Sequence, residues 1–398
     1  MIFSTLPDSL QQQQSTSNNI QSGSNFNVSN NTGDSVYPAI AASGNNVYVV
    51  WQDDHLGQSV SYDRKNYDIF LTRSTDGGKS FENITNLSNN VVLSGRPIIT
   101  AFDNNVYVVW MEDNLENKQI WFRKSTDSGI TFDQPLHLSS GHRIRDSIIP
   151  MAIAAFGNDV YVVWRQLVED GKTGSVLLKA STDTGNTFGE TMEISDNAVY
   201  STSPKVAASN NNVYVVWDVR HSEGEKSNKS EGVFFAQSSN NGATFGNETK
   251  LNGNKEFGEA QVAAHLNRVY VAWAGSVYNP QQSISDISLT FSFNNGNTFA
   301  ETILINTGFM DSENVELATT KGRIDAVWQD RITGNGEIFH KRSLNNEPAF
   351  LKAARNLSNT EGLSECPSIA VSGNTTYVVW EDSTYGNHEI FFRKVISL

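Results

Sequence analysis

The stretch Asn45–Trp51, NNVYVVW, decides the fold because related stretches recur along the whole chain. The other six end at Trp110 (NNVYVVW), Trp164 (NDVYVVW), Trp217 (NNVYVVW), Trp273 (NRVYVAW), Trp328 (GRIDAVW) and Trp380 (NTTYVVW). These seven copies lie 52 to 59 residues apart. A period of this length indicates a repeat architecture.

Each copy lies in a unit of four short apolar segments. In the first unit YPAIAASG precedes the repeat, and DIFLTRS and ITNLS follow it. Four short strands separated by polar turns are typical of one propeller blade. The run VYVVW is apolar at consecutive positions, which indicates a strand buried on both faces. The sequence therefore predicts an all-β, seven-bladed β-propeller of four-stranded antiparallel blades.

The seventh unit ends after its third segment, while residues 25–34, NFNVSNNTGD, resemble the fourth segments of other units. We therefore expect an N-terminal strand to complete the last blade and remove a free sheet edge. This gives a single propeller over residues 25–398. Residues 1–24 are rich in Gln, Ser and Asn, and we expect them to be a flexible leader.

The composition disfavours several classes of partner. The chain has 29 Lys and Arg against 43 Asp and Glu, a net charge of −14, which disfavours nucleic acid. The single cysteine, Cys366, allows no intrachain disulfide or Cys-rich zinc site. The apolar runs are too short to span a membrane. We expect no metal or other cofactor; calcium among the carboxylates stays open, although no loop has the EF-hand order.

The compartment is indicated less directly. Residues 1–24 lack the basic and apolar regions of a signal peptide. Sequons suited to extracellular glycosylation begin at Asn27, Asn30, Asn83, Asn86, Asn228, Asn247, Asn356 and Asn374. Because the chain is rich in Asn and Ser, such sequons also arise in it by chance. From composition and architecture together we expect an extracellular or cell-surface protein.

Three turns after third strands share the pattern S-x-D-x-G-x-x-F. They contain Ser74, Asp76, Gly78 and Phe81; Ser125, Asp127, Gly129 and Phe132; and Ser181, Asp183, Gly185 and Phe188. The carboxylate can accept backbone N–H groups, the glycine permits positive φ, and the aromatic ring anchors the hairpin. Asn240 and Asn294 replace the Asp in units four and five, and unit six has only SLNNEPAF. We expect these turns to be structural.

With these turns the chain resembles the BNR, or Asp-box, family over nearly all of residues 25–398. That family includes sialidases, two-propeller xyloglucanases, sortilin-type receptors and the photosystem II assembly factor. The resemblance implies that the boxes lie at the blade periphery, on the face opposite the ligand site. Function has to be argued separately from fold.

In a propeller, the loops joining strands two to three and four to one surround the mouth of the central channel, so we expect the site there. The predicted binding-face carboxylates are Asp53, Asp54, Glu112, Asp113, Asp218, Asp330, Glu381 and Asp382. The candidates for an enzyme are Arg96, Arg145, Arg165, Arg220, Arg331, Tyr200, Glu259 and Glu313. Arginines and carboxylates could bind and process an anionic ligand, or could pair to order each loop.

The leading hypothesis is a recognition or scaffold propeller that binds a glycan or an extracellular protein through its loop face. One alternative is a sialidase-like glycoside hydrolase acting on acidic sugars; the resemblance implies three convergent arginines and a Tyr–Glu pair for that activity. Two departures count against it: the family's Arg-Ile-Pro motif is missing, and sialidase propellers have six blades. Another alternative is a structural subunit of a cell-envelope complex, which predicts an exposed apolar rim; Trp121 is a candidate for that rim, although we favour a core position for it on a third strand.

Overall fold

The seven repeats form the second strands of seven antiparallel sheets in the computed structural model. The structure describes residues 23–54, 66–113, 118–139, 151–167, 174–195, 200–220, 230–252, 256–279, 282–306, 311–344, 348, 350 and 353–396. Blades one to six each consist of four strands that follow one another in the chain, and blade seven combines the last three strands with the N-terminal strand. In the described ranges no helix is long and apolar enough to cross a bilayer.

Strands one and two of each blade pair as an antiparallel hairpin. The first strands are β2 (Ser35–Ser43), β6 (Leu93–Phe102), β10 (Met151–Phe156), β14 (Tyr200–Ser209), β18 (Glu256–His265), β22 (Ser312–Thr320) and β26 (Ser364–Ser372). They contact one another in a closed ring around the central axis. The second strands are β3 (Asn46–Asp53), β7 (Asn105–Asp113), β11 (Asp159–Leu167), β15 (Asn212–Arg220), β19 (Arg268–Asn279), β23 (Arg323–Asp330) and β27 (Thr375–Asp382).

The outer strands complete each sheet. The third strands are β4 (Asp68–Ser74), β8 (Lys118–Ser125), β12 (Gly174–Ser181), β16 (Ser230–Ser238), β20 (Gln282–Ser292), β24 (Glu337–Leu344) and β28 (Glu389–Ile396). The fourth strands are β5 (Thr85–Asn86), β9 (Leu136–His137), β13 (Met192–Glu193), β17 (Thr249–Lys250), β21 (Ile303–Leu304), β25 (Arg355–Asn356) and β1 (Asn25–Asn27). One parallel bridge, Gly174 to Tyr200, links blades three and four.

Each second strand is buried on both faces, as its unbroken apolar run predicts. In blade one, Val49 and Trp51 pack against blade seven, whereas Tyr48 and Val50 pack against blade two. A buried apolar cluster of this kind fills each of the seven blade interfaces. The seven repeat tryptophans are at most 1% exposed. Trp121, on β8, is half-buried and packs against the cluster between blades one and two.

The N-terminal strand closes the ring, and this confirms the predicted fold. Phe26 pairs with Phe392 in the register between β1 and β28. Beyond β1, the Ile390 N–H donates to Ser29 Oγ (2.8 Å), and that hydroxyl donates to Glu389. Residues 1–22 lie outside the described residues, so the leader stays a prediction.

The Asp boxes are hydrogen-bonded turns. Asp127 Oδ1 accepts the backbone N–H groups of Ile130 (3.0 Å) and Thr131 (2.9 Å), and Ser125 Oγ accepts that of Gly129 (2.8 Å). The hydroxyl and backbone N–H of Thr131 help to lower the pKa of Asp127 to about 2. In blade four, Asn240 Oδ1 still accepts the Thr244 N–H (3.0 Å), which explains why the turn survives the loss of the carboxylate.

The box glycines fit against the preceding blade. A Cβ atom on Gly129 would lie 3.1 Å from the Tyr48 ring of blade one, and one on Gly185 would lie 2.8 Å from the Phe122 ring of blade two. Both glycines also have positive φ, 76° and 73°. The box glycine is therefore needed twice, once for the turn and once for the blade interface.

Blade six lacks the tyrosine of the repeat. Its position is taken by the fully buried Asp325, which contacts Arg323 (3.0 Å), His340 (2.7 Å) and Arg342 (2.8 Å). Thr376 of blade seven donates to the same carboxylate (2.9 Å). Blade seven takes its fourth strand from the N-terminus and so has no third-to-fourth hairpin in which a box could form. A buried polar cluster joins the blades where the Tyr–glycine contact is missing.

We expect Gly185→Ala to destabilise the protein more than Gly157→Ala. Both glycines have positive φ, so each substitution costs about 1 kcal/mol in backbone strain. Only Gly185 faces a buried ring, and overpacking adds about 1–3 kcal/mol. Urea unfolding measures the difference, and equal losses would show that the interblade contact has no energetic role.

We expect Asp127→Asn to lower the melting temperature at pH 7, with the deficit shrinking as the pH falls from about 4 to 2. The folded-state pKa of Asp127, about 2, lies below the ordinary aspartate pKa of 3.8, so the stabilisation is present above pH 3.8 and is lost as the pH falls through 2. Thermal melts across this range measure it. The reciprocal variant Asn240→Asp should gain stability at pH 7 and lose that gain in acid; a pH-independent effect in both variants would contradict the assignment.

Candidate binding pocket in the central channel

Six of the seven described first strands, all except that of blade three, have a β-bulge near their start at the loop face. The residue at the bulge has a positive φ of 48° to 56° in blades one, two, four, six and seven: Tyr37, Arg96, Ser203, Asn314 and Cys366. Bulges re-aim side chains, and positive φ is uncommon for bulky residues such as tyrosine and arginine. These bulges form the rim of the channel.

Two tiers lie below the rim. The middle tier consists of the residues paired with the residue before each repeat tryptophan: Ala39, Ile98, Ala152, Lys205, Gln261, Glu316 and Ser368. The next residues form an aliphatic floor: Ile40, Ile99, Ile153, Val206, Val262, Leu317 and Ile369. All seven floor residues are buried, with at most 9% of their surface exposed.

Rim, middle tier and floor enclose a cavity of about 320 Å³. All seven blades contribute to its wall. Among the described residues, none beyond the floor tier lines the cavity. The cavity therefore extends from the rim on the loop face down to the floor.

The rim contains an arginine–aromatic stack. The Arg96 guanidinium lies 3.6 Å from the centroid of the Tyr37 ring. The residue after the repeat tryptophan supports each bulge from the preceding blade: Gln52 Oε1 accepts the Arg96 N–H (2.8 Å), and Glu381 Oε2 accepts the Tyr37 N–H (3.0 Å). Burial raises the pKa of both Tyr37 and Glu381. The hydrogen bonds to Gln52 and Glu381 therefore hold the backbone on both sides of the stack.

Four consecutive blades place polar side chains in the middle tier: Lys205, Gln261, Glu316 and Ser368. Glu316 Oε1 accepts a hydrogen bond from Gln261 Nε2 (2.8 Å) and lies 3.7 Å from Lys205 Nζ. Burial raises the pKa of Glu316, and the Lys205 charge opposes this increase. The opposite side of the tier, formed by Ala39, Ile98 and Ala152, is apolar. The pocket therefore has one hydrogen-bonding wall and one apolar wall.

Four of the carboxylates predicted to lie on the binding face hold the blades instead. Asp53, Glu112, Asp330 and Asp382 each accept the indole N–H of their own blade's repeat tryptophan, at 3.0 to 3.2 Å. They are at most 8% exposed. Three of them also accept a first-strand serine hydroxyl, as Asp53 does from Ser35 (2.5 Å). Their oxygens are directed into the blade rather than into the pocket.

The other predicted carboxylates have different surroundings. Asp54 Oδ1 accepts the Asp34 N–H (2.6 Å), and Asp113 lies 3.6 Å from Lys118 across its hairpin. Asp218 is fully buried, whereas Glu381 lies at the rim, where it accepts the Tyr37 N–H.

Among the side chains that the structure describes, the structure brings only two of the candidate catalytic residues to the pocket. Arg96 and Glu259 line the pocket. Arg331 forms a half-exposed pair with Glu313 in its own blade (3.0 Å), and Arg165 is 8% exposed on β11. The remaining candidates cannot be placed: Arg145 lies outside the described residues, as do the side chains of Tyr200 and Arg220.

Several pocket residues were not found by sequence reasoning: Tyr37, Lys205, Gln261 and Glu316. Comparing the repeats offers a signal, because Lys205 and Glu316 stand where other blades carry Ala or Ile. In the described ranges no group of three or more His, Cys, Asp or Glu side chains is arranged to hold a metal ion.

The fold resembles that of solved carbohydrate-active propellers. An ulvan lyase of a polysaccharide lyase family superposes with a TM-score of 0.63 at 10% identity, covering 92% of this chain and 95% of that one. The polysaccharide lyase Uly1 gives 0.59 at 11%, covering 90% and 89%. The Trypanosoma rangeli sialidase gives 0.53 at 11%, covering 93% of this chain but 58% of the sialidase.

The likeness shows a shared propeller fold. At these identities it assigns no residue and no activity. No family model matches the chain, and no curated protein sequence matches it.

We expect Asp53→Ala to cost about 3 kcal/mol or more of unfolding free energy. The substitution leaves the buried Trp51 N–H and Ser35 hydroxyl without their shared acceptor, and each buried unsatisfied group costs about 1–3 kcal/mol. Urea denaturation measures this loss. Asp133→Ala, at a side chain 68% exposed, should change it by less than about 0.5 kcal/mol. Equal effects would show that the Asp53 contacts do not stabilise the blade.

Proposed function

We propose that this protein is a secreted or cell-surface recognition propeller that binds a glycan in the pocket of its central channel. The observation that carries the proposal is the cavity of about 320 Å³ beneath the stacked Tyr37 and Arg96 side chains. Small-molecule pockets usually measure about 300–1,000 Å³ and combine apolar walls with a few convergent polar groups. This pocket has both features.

The wall chemistry suits a sugar. An aromatic ring and aliphatic side chains can pack against the C–H groups of a pyranose, while Lys, Gln and Glu supply donors and acceptors for hydroxyl groups. The pocket's size favours a sugar unit over a protein segment, since a folded segment could insert little more than one side chain. The fold neighbours, a sialidase and two polysaccharide lyases, support a carbohydrate ligand without assigning one.

Binding is favoured over hydrolysis by the placement of the arginines. The sialidase-like alternative needs three arginines around one carboxylate. Arg96 stacks on Tyr37. Arg331 pairs with Glu313 of its own blade, as expected for an ion pair that orders a loop. Secretion remains part of the proposal, supported by the composition and the propeller architecture together.

The proposal is tested by screening the full chain on a glycan array and measuring each hit by isothermal titration calorimetry. We expect Tyr37→Ala to weaken binding of a hit at least tenfold, about 1.4 kcal/mol, because the ring forms part of the rim. Phe293→Ala is the matched control: Phe293 is 42% exposed in the Asp-box turn of blade five, and its removal should leave affinity unchanged within twofold. Absence of any glycan binding, or hits insensitive to Tyr37→Ala, would refute the proposal.

A further inference from the structure

The polar side of the middle tier has unused hydrogen-bonding capacity. Gln261 and Lys205 both approach Oε1 of Glu316, and Oε2 accepts no hydrogen bond from the described residues. Gln261 Oε1 is likewise without a donor in the part of the chain that the structure describes. Lys205 has three donors and one ion-pair partner. Acceptors and donors therefore alternate side by side in the pocket.

This alternation matches hydroxyl groups. Each hydroxyl donates one hydrogen bond and accepts others, so two adjacent hydroxyls can bridge a carboxylate oxygen and an ammonium group. The Lys205–Glu316 ion pair is only 21% and 29% exposed, and its position holds the two groups together before any ligand enters. A preorganised pair loses less conformational entropy on binding.

The charges around the pocket disfavour an anionic ligand. Lys205 and Glu316 cancel one another, and the Arg96 charge acts on Tyr37 and Glu381 at the rim. Glu259 also lines the cavity, and Glu365 accepts a hydrogen bond from Gln329 (3.2 Å) beside the rim. A carboxylate or sulfate would therefore enter a site with more carboxylates than cations, in a chain of net charge −14. An ammonium group would face Lys205 and Arg96.

The floor decides which part of a glycan can enter. The cavity reaches down to the seven aliphatic residues of the floor, and its volume of about 320 Å³ limits how much of a glycan can enter. A unit within an unbranched chain has neighbours on both sides, and only a terminal unit can reach the middle tier with its free hydroxyls leading. The apolar wall of Ala39, Ile98 and Ala152 then faces the C–H groups of the ring.

From these contacts we propose that the pocket binds the terminal unit of a neutral glycan, whose adjacent hydroxyl groups are held by Lys205, Gln261 and Glu316. This inference rests on the proposed function and specifies its ligand class. Tyr37 and Arg96 contact the following unit at the rim.

The first experiment uses the wild-type chain and a set of methyl glycosides. Saturation-transfer NMR and calorimetry compare those of glucose, galactose, mannose and xylose with those of glucuronic acid, N-acetylneuraminic acid and glucosamine. We expect at least one neutral glycoside to bind at least tenfold more tightly than every charged one. Tighter binding of a charged glycoside overturns the inference and leaves the proposed function intact, whereas binding of no saccharide, on the array or in this set, refutes the proposed function itself.

The second experiment tests the requirement for a chain end. A polysaccharide of the preferred neutral unit competes with its methyl glycoside before and after mild hydrolysis, at constant mass. We expect competition to increase in proportion to the number of chain ends. Competition that stays constant would mean that internal units bind, and it would overturn terminal recognition.

The third experiment assigns the polar wall. Glu316→Gln keeps the side-chain shape and leaves Lys205 without its counter-ion, so we expect affinity for the neutral glycoside to fall at least tenfold and the preference to shift toward methyl glucuronide. Glu82→Gln, at a carboxylate 45% exposed in the hairpin of the blade-one Asp box, should change neither quantity. An unchanged preference in folded Glu316→Gln overturns the assignment. If that variant does not fold, the wild-type comparison still decides the ligand class.

Discussion

The propeller depends on the burial of each second strand between two neighbouring blades. The alternating side chains of VYVVW face opposite directions, so that Trp51 contacts blade seven and Tyr48 contacts blade two. A single blade could not cover both faces. Each blade is therefore stable only between two others, and the last interface forms when β1 pairs with β28. A buried aromatic side chain removes about 150–250 Å² from water, so these interfaces supply a large part of the driving force.

The same interfaces explain the Asp boxes. The carboxylate orders the turn, but the glycine also leaves space for the aromatic ring of the preceding blade. In blade six, Asp325 with its arginines and histidine replaces the tyrosine, next to the blade that has no box. At the interface between blades six and seven the repeat thus varies on both sides: a buried polar cluster replaces the tyrosine of blade six, and blade seven has no box glycine to receive a ring.

The pocket is a consequence of the ring rather than of any one blade. Bulges direct Tyr37 and Arg96 toward the axis, and the residue after each of the preceding tryptophans supports the bulge across the blade interface. Residues far apart in sequence, Lys205 and Glu316, meet because blades four and six flank blade five. The acidic residues that follow the tryptophans have a different role, since four of them satisfy buried indole groups.

The sequence by itself determined the blade count, the four-stranded unit, the N-terminal closure and the Asp-box turns, because each depends on local pattern: apolar periodicity, turn chemistry and a repeat. It did not determine the pocket. Whether Asp53 faces solvent or Trp51 depends on a hydrogen bond within the folded blade, and whether Arg96 joins other arginines or Tyr37 depends on the angle between blades. The contact between Lys205 and Glu316 joins residues more than one hundred positions apart, and only closure of the ring brings them together.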